Sequence, residues 1–430
     1  MSRDTSGRAT VVACAAVALA ITSGAVVAQS VVWELKSTVQ RVVEVAPERR
    51  AAEADVMARQ GEWQQAGLWS NPSVELGASN AMGKEDGQGG TDLNQITLRQ
   101  PLPLSGRLTH QRHQAQANLK QAHEAVAERS LALEYEGARV FHRLQLNLAL
   151  LQLASLRLQS ADEFQRIGQR REEAGDLSRL ERLRLDLIRE NASQQIATAE
   201  GEAGEAKSDF RTLLNLTEGE PSVAPLEQLP TLPAMAALER AQAAHPALVA
   251  ARQAIESARY GVAVARANRF ADPELWLSRG RDVLGGERQD VTAFGVVVTV
   301  PLWDRNKGHI DTAQAGKQKA QFELEALQRQ LGNHLRLNHL HLGHLIEQTE
   351  EYRTKVLKPA EQLFELSRKG FAAGEVEILA LVDAVNSHFE ARARYIELLD
   401  QAWLEAAELR RSAGISLLTT SAPTSEGAPQ

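Results

Sequence analysis

Four histidines crowd the segment Asn333-His334-Leu335-Arg336-Leu337-Asn338-His339-Leu340-His341-Leu342-Gly343-His344. On a helix, His334, His341 and His344 fall within about 80° of one another, and His339 points away. Imidazoles three residues apart can share a zinc ion, so these three are candidate ligands. His110 and His113 form a second such pair. A closed zinc site needs further ligands, and no carboxylate nearby completes either set. The expectation is a solvated helix face with no metal and no cofactor. Nucleophilic and phosphate chemistry are missing too. The sequence contains no Gly-x-Ser-x-Gly, no Gly-x-x-x-x-Gly-Lys-Ser/Thr and no His-Glu-x-x-His. The single cysteine, Cys14, excludes an internal disulfide framework and a cysteine zinc cage. The chain is not expected to be an enzyme.

What remains is architecture. Of 430 residues only 4% are aromatic, whereas large compact cores lean on aromatic area. Ala, Leu, Glu, Gln and Arg dominate, a mixture that favours long helices. The formal net charge is −7 with no basic tract, which argues against a nucleic-acid partner. Residues 1–28 have the form of a secretory signal. Arg3 and Arg8 precede an apolar run from Thr10 to Ile21, and Val26-Val27-Ala28 offers a cleavage site. Cys14 lies early in that run, so its lipidation and its removal with the signal both stay open. No later stretch is apolar for 18 residues, so no membrane-spanning helix is expected.

Landmarks recur at one offset. Pro47 and Pro246 are 199 residues apart, Pro72 and Pro273 are 201, Pro101 and Pro301 are 200, and Gly175 and Gly374 are 199. This is a tandem duplication. The first repeat spans residues 29–220, a Pro-rich linker 221–235, the second repeat 236–416, and a disordered tail 417–430. Each repeat holds a helix (Glu48 to Trp69, Ala247 to Phe270), two short strands, a very long helix, a glycine break and a return helix. Asn71-Pro72 and Asp272-Pro273 stop the first helices, because a residue before proline avoids the helical region. The strands alternate. Val74, Leu76 and Ala78 share a face, as do Ile96 and Leu98, Leu275 and Leu277, and Phe294, Val296, Val298 and Val300, with Arg279 out of place. Gly83 to Asp92 and Val283 to Asp290 are expected loops.

Between Leu108 and Arg170, and between Lys307 and Lys358, there is no proline. A helix of roughly sixty residues spans about 90 Å and cannot fold inside a globule. Leucines at three- and four-residue steps, from Leu144 to Leu158 and from Leu324 to Leu345, mark coiled-coil seams. Strands of about ten residues are long enough to cross a bilayer, although a soluble hairpin has the same pattern. Four strands leave two open edges that lipid cannot accept. The strands are therefore outside a membrane, or several copies share one barrel, with eight strands from two or twelve from three.

The duplicated order, Asn71-Pro72-Ser73 and Asp272-Pro273-Glu274 before the strand pairs, and the two glycine turns resemble the TolC family of outer-membrane channels over residues 31–416. The segment Val300-Pro301-Leu302-Trp303-Asp304-Arg305-Asn306-Lys307-Gly308 is similar to one in the cobalt–zinc–cadmium efflux channels. Its first-half counterpart is Leu104-Ser105-Gly106-Arg107, where Ser105 replaces a glycine. The resemblance implies a mainly α fold with a small β part: long antiparallel coiled-coil hairpins forming an α-barrel continuous with a twelve-stranded β-barrel shared by a homotrimer. It implies a bacterial outer-membrane location with the helices in the periplasm, a periplasmic adaptor, an inner-membrane RND-type pump and passive export of metal cations. It places Gly175, Asp176, Leu177, Gly374, Glu375 and Val376 at the adaptor-contacting tip. Asp383 and Glu181 are then tip-constriction candidates, where rings of carboxylates select cations. The family's other acidic position is Ala380 here. A drug or type I secretion duct is the alternative in the same fold. A periplasmic coiled-coil adaptor is the rival of another class, but it would carry a single hairpin.

Overall fold

A computed structural model describes residues 32–79, 92–226, 228–284 and 287–419. The expected signal and most of the expected tail lie outside them. So does most of the first strand-to-strand loop.

The chain order begins with β1 (Val32–Trp33), α1 (Leu35–Val45), α2 (Pro47–Gln65), β2 (Ser73–Ser79), β3 (Asp92–Pro101), α3 (Arg107–Glu173) and α4 (Arg179–Leu213). It continues with β4 (Ser222–Val223), α5 (Met235–Gln242), α6 (Pro246–Ala267), β5 (Glu274–Leu284) and β6 (Glu287–Val297). The last helices are α7 (Lys307–Tyr352), α8 (Lys358–Ala373) and α9 (Ile378–Ser412). A π-helical turn, Arg353–Leu357, joins α7 to α8. Pro359 lies two residues beyond it. Proline has no N–H to donate and clashes with the preceding turn, and the wider turn relieves both. The second long helix thus runs through its proline to Ala373.

α3 has 67 residues, which at 1.5 Å each gives about 100 Å. Its half near the strands packs against α2 and α6, and its far half against α4 and α9. α7 lies beside α6 and α9, and α8 beside α9. The far half is therefore a wall in the order α4, α3, α9, α8. One lateral edge belongs to the first repeat and the other to the second.

The four long strands form one antiparallel sheet in the order β2-β3-β5-β6, so the two repeats meet at β3 and β5. β2 and β6 are its open edges. The expected loop Val283 to Asp290 is mostly strand, because β5 pairs with β6 as far as Leu284 and Glu287. β6 ends at Val297, so Val298 and Val300 continue the apolar row as irregular chain. The sequence also gave no sign of α1, α5 or the short parallel pair β1–β4. These flank the wall midway. α1 buries Val42 and Val43 against Phe141, Leu144 and Phe210. α5 buries Leu238 against Leu335, Leu342 and Leu409.

Candidate functional site

Register assigns every strand residue to one of two faces. Cross-strand partners Val74, Leu98, Leu277 and Phe294 form one row. Gln100, Leu275 and Val296 form the next, towards the helices. All the apolar members are exposed, Phe294 by 81%. The opposite face carries the row Glu75, Thr97, Ser278 and Ala293. Thr97 and Ser278 there are only 4% and 6% exposed. Arg99 joins Glu75 at 2.9 Å and Glu274 at 3.0 Å across three strands of this polar face. Trp276 lies flat over Gly295, where any Cβ would collide with its indole. This is an inside-out arrangement: hydroxyls are covered and large apolar side chains are bare. That polarity is the reverse of what a sheet facing water has. Arg279, the exception in the apolar row, sits at the outer end beside Asp290, 3.5 Å away. At the helix-side end Trp69, Leu104, Phe270 and Trp303 are exposed and form an apolar collar, Trp303 at 93%.

At the far end both helical hairpins turn by the same device. The Gly175 N–H donates to Glu172 O and the Asp176 N–H to Arg171 O. The Gly374 N–H donates to Phe371 O and the Glu375 N–H to Gly370 O. These are Schellman turns, and both glycines take the left-handed backbone they require, with φ of 81° and 82°. Gly175, Asp176, Gly374 and Glu375 are exposed, while Leu177 is buried and Val376 half-buried. Leu177 enters a core shared by both hairpins, with Phe164, Leu185, Phe364, Phe371 and Phe389. Gly168 gives Leu185 the space it occupies. Arg171 ties the two turns together. Its guanidinium donates to Phe371 O at 3.1 Å and lies 5.2 Å from the Phe371 ring centroid.

The two constriction candidates differ. Asp383 is exposed on α9 and forms no ion pair among the described residues. Glu181 is engaged. Its carboxylate accepts from the Ser178 N–H at 2.9 Å and the Ser178 hydroxyl at 2.7 Å, and the Glu181 N–H donates back to Ser178 Oγ. This capping box starts α4, and the Ser178-x-x-Glu181 spacing is its sequence signal. The Ser178 hydrogen bonds hold the Glu181 carboxyl below its ordinary range. A depressed carboxylate stabilises the fold above the unfolded value and loses that contribution as pH falls through the folded one. Glu181→Ala is expected to loosen the first turn by about 1 kcal/mol. The measurement is proteolysis rate at residues 174–182. Wild type should approach the variant as pH falls through the lowered value of the carboxyl.

The histidine candidates do not converge. His334, His341 and His344 are exposed on α7, while His339 Nε2 lies 3.0 Å from Pro233 O. Among the described residues no group of three or more His, Cys, Asp or Glu could hold a metal ion.

His142 and Asp400 are among the titratable groups buried in the wall. His142 is 3% exposed and stacks on Trp403 at 5.8 Å, with Nδ1 2.8 Å from Gln145 Oε1. Burial lowers its pKa to about 4. Asp400 is 6% exposed, its Oδ1 has no hydrogen-bond partner, and burial raises its pKa to about 6. Signs follow. Stability falls as pH rises from about 4 to 6 through Asp400, and falls as pH drops from about 6.5 to 4 through His142. The two slopes oppose each other. Asp400→Asn removes one, so the variant should gain on the order of 2–3 kcal/mol at pH 7. Below pH 6.5 its melting temperature should then decline with acid, which calorimetry across pH reads directly.

A profile described as "Outer membrane efflux protein" matches residues 38–216 and again 237–415. The chain is 24% identical over 368 residues to the cobalt-zinc-cadmium resistance protein CzcC of Cupriavidus metallidurans, covering 85% of this chain and 86% of that one. The fold is similar to a crystal structure of CusC, with a TM-score of 0.75, 18% identity and coverage of 90% and 93%. It is also similar to the open state of the MtrE outer membrane channel of Neisseria gonorrhoeae, with a TM-score of 0.73, 20% identity and coverage of 90% and 91%.

Proposed function

Since this chain belongs to the outer membrane efflux protein family, we propose that three copies close one barrel and one helical tunnel, through which metal cations leave the periplasm. The observation that carries this reading is the inverted polarity of the β2-β3-β5-β6 sheet. Four strands per copy give twelve in three, within the even-numbered range of outer-membrane barrels. The edges fit such a ring. β2 and α4 bound one side of the chain, and β6 and α8 the other, so each copy offers different surfaces left and right. Head-to-tail contacts of this kind close into rings when the rotation between copies divides a full turn.

The exposed apolar face meets outer-membrane lipid, and the helices stand in the periplasm. The turns at Gly175–Leu177 and Gly374–Val376 meet a periplasmic adaptor, which couples the duct to an inner-membrane RND-type pump. Asp383 is the better candidate for a carboxylate ring at the tip, because Glu181 already caps α4. The protein does no chemistry, and the pump supplies the energy. Metal as cargo rests on the likeness to CzcC and on the Pro301–Gly308 segment.

Purified protein in planar bilayers should show discrete conductance steps, with a three-membered cross-linking ladder. A monomer that never inserts overturns the duct. Expression with its pump and adaptor in a host lacking such a system should raise tolerance to cobalt, zinc and cadmium. Unchanged metal tolerance with raised drug tolerance would reassign the cargo.

A further inference from the structure

A cavity of 580 Å³ lies where α3, α6 and α7 meet beneath the sheet. Its charged lining is Arg259, Arg266 and Lys317, with no acidic side chain. Arg259 is partly neutralised by Glu256 at 2.8 Å. Arg266 and Lys317 have no ion-pair partner among the described residues. Two buried polar atoms of the same lining, Ser105 Oγ and His110 Nδ1, have no hydrogen-bond partner. Cations without counter-charges beside polar atoms without partners describe an anion site whose ligand also offers hydrogen bonds.

The rest of the lining is apolar and includes Val262, Ala267 and Phe270. Phe270 is an exposed member of the collar, as is Leu104, next in sequence to the lining residue Ser105. The cavity is therefore continuous with the surface assigned to the edge of the hydrocarbon. Arg266 lies in the last turn of α6, four residues before Phe270, and Arg259 about 10 Å further down the helix. The headgroup layer extends roughly 5–7 Å beyond the hydrocarbon on each side. Arg266 falls in that layer, and the long stems of Arg259 and Lys317 can reach towards it.

We propose that this cavity binds the phosphate headgroup of an anionic phospholipid from the periplasm-facing leaflet, with the acyl chains lying over Phe270 and Leu104. The site rests on the outer-membrane orientation proposed above. It would fix the depth of the tube in the bilayer, because it grips the wall at three helices at once. Free inorganic phosphate offers the same charge but nothing for the apolar lining.

The test uses full-length protein extracted from outer membranes in mild detergent, followed by native mass spectrometry and thermal melting. Probes are short-chain phosphatidylglycerol, short-chain phosphatidylcholine and inorganic phosphate. Phosphatidylglycerol should remain bound at about one per copy and raise the melting temperature by about 2–4 °C. The two other probes should do neither. The Arg266→Ala, Lys317→Ala double variant should still reach the outer membrane and conduct normally, but lose both effects. A shift reproduced by inorganic phosphate alone would show an anion site without a lipid and overturn the proposal. Retention of lipid by the double variant overturns it as well. Wild-type protein absent from the outer membrane would instead remove the orientation itself, and fractionation separates that failure from the others.

Discussion

Leu275→Arg is expected to empty the outer-membrane fraction of this protein. Leu275 lies between Gln100 and Val296 on the apolar face. That face continues through Val298 and Val300 towards the helices and stops at Arg279 on the outer side, so the row of Leu275 is near its middle. An arginine facing lipid at mid-bilayer depth costs about 2–4 kcal/mol in an outer-membrane barrel. A three-copy barrel carries the change three times, about 6–12 kcal/mol in all, which exceeds the stability margin of many folds. Gln95→Arg is the control. Gln95 pairs with Gly77 and Gly280 on the opposite face, where the same charge meets water. It should leave insertion intact and shift ion selectivity towards anions. Normal yield and conductance from Leu275→Arg would mean that lipid does not cover this face.

The second large effect is expected at the opposite end. Phe164 is fully buried and meets Phe364 at 6.4 Å and Phe371 at 6.3 Å, both edge-on. It stands on α3, and its partners on α8, so one side chain joins the two hairpins. Phe164→Ala should cost about 3–5 kcal/mol, counting both lost transfer energy and the void left behind. The loss is local to the far end of the wall. Strand pairing and membrane insertion should survive, while protease attack near residues 170–180 and 370–380 rises and the closed-state conductance increases. Phe322→Ala, on the exposed face of α7, should change none of these. Equal effects from the two substitutions would show that the shared aromatic core does not hold the tip together.

Much of this plan was legible in the chain because it was written in local terms. Prolines at fixed offsets mark the ends of the first helices only roughly, since α2 and α6 already end at Gln65 and Ala267, short of Pro72 and Pro273; glycines turn both hairpins, and alternation sets the two faces of each strand. Long proline-free runs are incompatible with a globule. The missing parts depend on distant partners. α1 and α5 are short and owe their helicity to the leucines and phenylalanines of α3, α4, α7 and α9, which no local window contains. The joining of β3 to β5, the grip of Arg171 on Phe371 O, and Arg107 meeting Asp272 at 2.5 Å all cross from one repeat to the other. The capping box has a local signal, Ser178-x-x-Glu181, and it takes up the acidic side chain that the tip position offers. His334, His341 and His344 lie exposed on one helix, and among the described residues no group of three or more His, Cys, Asp or Glu could hold a metal ion.

The unlike left and right edges have a genetic consequence. In a three-copy ring every subunit touches two neighbours through different seams, so one defective edge spoils a whole assembly. If a copy with a disabled β2 or α4 edge is made at the same level as the intact one and mixes freely, only about one ring in eight contains none of it. Such alleles should therefore act dominantly over the intact gene. A substitution that only prevents export of the copy should be recessive, because it never joins a ring.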